Sequence, residues 1–149
     1  ALLLLLCISA FASFGDIVGM PSDYGRDNEA HTVAAFLEEN GLEYGYATFR
    51  NSNLLTPLTD SRVKVRGIAV SSEDGIYTDL YQSSSRWYDE SEHGKYEKYF
   101  ILLSESEYNA IAETGSWREL TSSAGVAEEL RCGGWHVFVL RSDPQFVIK

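Results

Sequence analysis

The run Tyr99-Phe100-Ile101-Leu102-Leu103 is unbroken by any charge and is bounded by Lys98 on one side and Ser104 on the other. Continuous apolar runs of this length, without alternation, belong to strands in the middle of a sheet rather than at its wet surface. A chain built around such a strand must supply layers to cover it, and segments of helical and strand-like period do alternate here. Asp27 or Asn28 is placed to cap a helix to Asn40, with Ala30, Val33, Ala34 and Leu37 on one face and Gly41 as its left-handed stop. A strand follows over 44–49. Arg50-Asn51-Ser52-Asn53 then reads as a turn, in which Asn51 or Ser52 caps a short helix interrupted by Pro57. Residues 62–70 alternate charged and apolar side chains, as a half-buried strand does, and 76–80 reads as a short strand. Ser104 and Glu107 form a capping-box pattern for a helix through Ile111 that stops at Gly115, before a loop with Trp117. A short strand over 127–131, a Gly133-Gly134 turn and a strong strand over 135–140 complete the pattern, with Asp143-Pro144 ending it. The expectation is an α/β layered sandwich of two or three layers around a mixed, mostly parallel sheet. The strands near 44, 63 and 99 are expected to be parallel, and the last strand antiparallel at an edge.

The N-terminus carries a different signal. From Leu2 to Phe14 the chain is almost wholly apolar, and its first charge is Asp16. As a helix residues 1–14 rise about 21 Å, against a hydrocarbon core of roughly 30 Å. Residues 1–15 therefore read either as the end of a transmembrane helix or as a signal peptide, for which Ala10-Phe11-Ala12 supplies a small-x-small cleavage pattern. The flank after it holds Asp16, Asp23, Asp27 and Glu29 against a single Arg26, the reverse of a cytoplasmic flank. Residues 16–26 read as a linker, and 27–149 as an extracytoplasmic domain at the cell membrane.

A net charge of −10 argues against nucleic acid, which needs a basic footprint. The two cysteines, Cys7 and Cys132, do not make a disulfide framework. There is no Gly-rich phosphate loop, no HExxH, no Cys/His metal spacing and no GxSxG elbow, so the sequence offers no catalytic residue, metal site or cofactor. Two features point to ligand binding. Arg50, Asn51 and Asn53 fall where a strand gives way to a helix, the place where α/β sheets gather ligands; ordinary capping is the competing explanation. Trp87 and Tyr88 lie in an aromatic stretch rich in Ser, Asp and Glu, and flat rings beside polar groups suit a sugar; closure of the core is the alternative.

The segments Phe36-Leu37-Glu38-Glu39-Asn40-Gly41-Leu42, Tyr44-Gly45-Tyr46-Ala47-Thr48-Phe49, Asn51-Ser52-Asn53 and Val63-Lys64-Val65 support a resemblance. So do Ser84-Ser85-Arg86-Trp87-Tyr88 and Phe100-Ile101-Leu102-Leu103-Ser104. Together they resemble the C-terminal extracytoplasmic domain of bacterial polytopic membrane glycosyltransferase-like proteins. These use polyprenyl-phosphate sugars and are distantly like dolichyl-phosphate-mannose mannosyltransferases. The pattern carries an aromatic residue where this chain has Arg50. The resemblance implies an accessory role in cell-envelope polysaccharide assembly, with a glycan acceptor or lipid-linked sugar as partner and the reacting carboxylates on membrane loops elsewhere. The alternative is a secreted or membrane-anchored module that binds carbohydrate or protein without catalysis.

Overall fold

The computed structural model describes residues 28–144 apart from 79 and 82, residues 146–148, and a few positions between 9 and 19. The expected hydrophobic segment and linker lie almost entirely outside the described residues. Among the described residues, no helix is long and apolar enough to cross a membrane.

In chain order the elements are α1 (Glu29–Glu39), β1 (Tyr44–Thr48), α2 (Phe49–Leu58), β2 (Lys64–Ser71) and β3 (Gly75–Thr78). A 3₁₀ turn (Ser85–Tyr88) and the single-turn α3 (Glu90–His93) come next, then β4 (Tyr99–Ser104), α4 (Glu105–Ile111) and α5 (Gly115–Ala124). Strands β5 (Val126–Cys132), β6 (Trp135–Leu140) and β7 (Val147–Ile148) close the fold. The sheet order is β5-β6-β4-β1-β2-β3-β7.

Strand period decides which side chain faces which layer. Gly45, Ala47, Phe100, Leu102, Val137 and Val139 point to a first face, where Val33, Ala34 and Leu37 of α1 and Leu55 of α2 cover them. Tyr44, Tyr46, Tyr99, Ile101, Leu103, Phe138 and Leu140 point to the second face, under Ile111 of α4 and Trp117, Leu120 and Ala124 of α5. The result is a three-layer α/β sandwich with a core on each side of one sheet. As expected, β1 is parallel to both β2 and β4.

Three expectations need correction. The sheet is mixed, but antiparallel pairing dominates it: the longest pairings, β4–β6 and β5–β6, are antiparallel, and so is β2–β3. The turns expected at 71–75 and Gly133-Gly134 are present and make antiparallel hairpins, and β6 is an interior strand with β5 at the edge. Next, residues 50–53 do not form a turn. Thr48 is already the cap residue of α2, so the helix starts directly at the strand's end. Asn51 donates to Thr48 Oγ1 (3.0 Å) and Ser52 to the Phe49 carbonyl (3.0 Å), which satisfies those side chains within the helix. Finally, Gly115 starts a helix, since the preceding Thr114 accepts from the Trp117 N–H and caps α5. The segment around Trp117 is therefore a helix whose indole sits in the second core, and not a loop.

Packing is tightest where β1 and β4 meet. Gly45 is the register partner of Phe100, and a Cβ built on it would stand 2.4 Å from a ring carbon. Gly45→Ala should therefore force the ring aside and lower stability by about 1–3 kcal/mol, measured by urea unfolding at constant m. An unchanged midpoint would show that the ring does not rest on this glycine.

Candidate functional site

The chain leaves β1 toward α2 on the first face and leaves β4 toward α4 on the second. Neighbouring parallel strands whose continuations part in this way create a crevice beyond their carboxyl ends, the usual place for a ligand in an α/β sheet. A cavity of about 330 Å³ lies there. Val33, Leu55 and Leu102 are among its apolar lining, and Thr48, Arg50, Asn51, Ser104, Glu107 and Trp135 contribute polar or aromatic groups. Two of its carboxylates are committed. Glu107 accepts from the Ser104 backbone N–H (2.7 Å) as part of a complete capping box, and Glu29 accepts from the Trp135 indole N–H (2.6 Å). Arg50 is exposed and forms no ion pair among the described residues.

On the second face, three buried tyrosines stand side by side on β1 and β4. Each reaches a different irregular segment with its hydroxyl. Tyr44 donates to the Trp87 carbonyl (2.7 Å), Tyr46 to Asp143 Oδ1 (2.5 Å) and Tyr99 to Glu90 Oε1 (2.9 Å). Burial pushes the Tyr44 and Tyr99 hydroxyls up to about 12. Tyr46 is raised further, first by burial and then by the Asp143 charge, so it remains a donor at any pH the fold survives.

His93 completes this cluster. Its ring stacks on Tyr44 with centroids 4.4 Å apart, and its side chain is only 7 % exposed. Nδ1 lies 2.7 Å from the Gly94 carbonyl, which can only accept, so Nδ1 carries a proton. Nε2 faces Asp143 Oδ2 at 3.4 Å. Burial raises the Asp143 carboxyl above its ordinary range, even though Tyr46 and His93 both pull it down.

The structure separates the residues that the sequence singled out. Arg50 and Asn51 line the crevice, while Asn53 is exposed on α2 and does not. Trp87 borders a different cavity on the second face, of about 300 Å³, with the Arg66 guanidinium 4.7 Å from its ring centroid. Tyr88 is tied to the fold: its hydroxyl donates to the Gly67 carbonyl and is hydrogen-bonded with Ser83 Oγ, and its ring packs on Tyr46 and Phe146. His136 is fully buried between Glu105 (2.8 Å) and Glu129 (2.9 Å), and Arg131 bridges the same two carboxylates. His136 and Arg131 together hold the Glu105 carboxyl below its ordinary value.

Sequence reasoning missed Lys64 and Arg66 beside Trp87, although a signal existed. The two cations are two residues apart on a strand, so they share a face. It also missed the His93–Asp143 contact, which joins positions fifty apart and had no local signature. No family model, curated protein or solved structure matches this chain.

The raised Asp143 carboxyl has a definite consequence for stability. Its folded state holds a proton more tightly than its unfolded state, so the wild type is relieved of the buried charge at low pH. It loses stability as pH rises from the ordinary carboxylate range through the raised value. Asp143→Asn cannot titrate there. The stability of the wild type minus that of Asp143→Asn should therefore fall with rising pH, measured by urea unfolding from pH 4 to 7. His93 and Glu90 face the same carboxylate, and repeating the comparison in a His93→Gln background separates the carboxylate from the imidazole. Parallel pH profiles would mean that Asp143 titrates as an exposed acid.

Proposed function

We propose that this chain is the accessory, non-catalytic extracytoplasmic domain of a membrane glycosyltransferase, and that it binds acceptor glycan in the crevice beyond β1 and β4. The observation that carries this reading is the makeup of that crevice. It has an apolar floor, a Trp135 edge and a rim on which Arg50 forms no ion pair among the described residues, while its carboxylates Glu29 and Glu107 are already hydrogen-bonded within the fold. A carboxylate fixed as a helix cap or an indole acceptor is a poor general base, since its basicity is spent on a local donor. A guanidinium with free N–H groups beside apolar surface is suited to hydroxyls and to the C–H face of a sugar ring.

The experiment is a titration of the ¹⁵N-labelled full chain with neutral oligosaccharides, using β-linked glucose, N-acetylglucosamine and mannose dimers as probes. Shift changes should concentrate at the amides of Thr48, Arg50 and Asn51 and at the Trp135 indole. Arg50→Ala should weaken binding about tenfold, or ~1.4 kcal/mol. Asn53→Ala, which lies outside the crevice, should leave it unchanged. Failure of all three sugars to shift these resonances would overturn the binding role. The assignment to a membrane enzyme stands or falls on a separate observation: whether the gene encodes several membrane helices upstream of Ala1.

A further inference from the structure

The cavity beside Trp87 has a charge pattern opposite to that of the chain that builds it. The chain carries only 12 Lys and Arg against 22 Asp and Glu. Yet Lys64, Arg66 and Arg86 all line this one space of about 300 Å³, where Glu92 is the one carboxylate among the described residues. Strand geometry is the cause for two of them. Lys64 and Arg66 are alternate residues of β2, in register with Tyr44 and Tyr46 of β1, so both project to the second face where the sheet is otherwise aromatic. Arg86 arrives from the 3₁₀ turn that crosses above them.

Among the described residues, Lys64 and Arg66 form no ion pair. Among the described residues the Glu92 carboxylate pairs with Arg86, at 3.6 Å, and that pair is largely exposed and therefore weak. Lys64 donates to the neutral Tyr96 hydroxyl (3.2 Å). Arg66 lies against the faces of Trp87 and Tyr44, 4.7 and 5.8 Å from their ring centroids, and its Nε is buried without a hydrogen-bond partner among the described residues. An orphaned N–H on a charged group is costly. The two rings flank the guanidinium and its Nε–H is left without a partner among the described residues, as in a preorganised oxyanion receptor.

We propose that this cavity is a binding site for a compact oxyanion, a phosphoryl or carboxylate group borne by a small polar ligand such as a sugar. Arg66 is the oriented donor, and Lys64 and Arg86 are the flanking charges. The site lies on the opposite face of the sheet from the crevice, so its failure would leave the neutral-glycan reading untouched.

Isothermal titration of the full chain with glucose 1-phosphate, glucuronate and glucose tests this. Either or both anions should bind at least tenfold more tightly than glucose, more weakly as salt is raised, and should move the Arg66 Nε–H and Trp87 indole resonances. The phosphate and carboxylate arms tell which anion the site prefers. The double variant Lys64→Gln/Arg86→Gln should weaken anion binding at least tenfold. Arg86 is 77 % exposed, so this change spares the core, and a native circular dichroism spectrum checks the fold. Arg118→Gln removes an exposed cation outside the cavity and should bind as wild type does. Anions binding no better than glucose would overturn the site. So would a folded double variant that retains wild-type affinity, or equal losses in Arg118→Gln.

Discussion

Burial of β1 and β4 on both faces is the constraint from which the other features follow. A strand covered on one side only can discharge its polar needs into water; these two cannot, and their ten or so residues must find both apolar cover and hydrogen bonds. The first face meets this with small residues. Gly45 and Ala47 leave room for the Phe100 ring and for α1 and α2, and the cover is almost wholly aliphatic. The second face meets it with large ones, three of them tyrosines, and that choice brings hydroxyls into the interior.

Those hydroxyls organise the part of the chain that has least regular structure. A buried Tyr O–H must find an acceptor. Tyr44, Tyr46 and Tyr99 find theirs at Trp87, Asp143 and Glu90, none of which lies in the sheet. The stretch from Ser85 to Tyr96 and the segment after β6 are thereby fastened to strands β1 and β4, with His93 wedged between them against Tyr44 and Asp143. The 3₁₀ turn is placed where it is because a tyrosine takes its carbonyl, and Arg86 and Trp87 are placed with it. The cationic cavity is thus a consequence of how the aromatic core satisfies its own polar atoms.

Local patterns made much of this architecture legible in the sequence. Asn28 caps α1 and Gly41 ends it at a φ of +65°, Ser104 and Glu107 form their capping box, and the run from Tyr99 to Leu103 is the buried strand it was read to be. Each of these is fixed within a few residues by geometry that the neighbours carry. Strand order is not fixed that way. The strand over 135–140 is antiparallel as expected, but its interior place depends on partners over thirty residues distant, and apolar runs look alike in the middle of a sheet and near its edge. Thr114 and Gly115 misled for a related reason, because a glycine serves equally after one helix and at the start of the next; the Thr114 hydroxyl decides between them. Of the cavity-lining residues, Arg50 and Asn51 were singled out because they sit at a strand's carboxyl end. Arg66 was hidden because its meaning depends on Trp87, which reaches it only through the tyrosine network.

The same reasoning explains why an acidic chain can hold a cationic cavity. Net charge acts over distances comparable to the Debye length, about 8 Å at physiological ionic strength, so carboxylates on remote surfaces are screened from a concave site. What matters inside is the near field. Arg66 is sheltered by Trp87 and Tyr44, and the nearest carboxylate of the cavity wall, Glu92, is directed to Arg86. The Glu90 carboxylate is turned away to Tyr99, and Asp143 is held behind His93 by Tyr46. The tyrosine hydroxyls therefore do more than satisfy themselves. By taking the Trp87 carbonyl and the Glu90 carboxylate they fix the segment that carries Arg86 and Trp87, and with it the wall against which the Arg66 guanidinium lies.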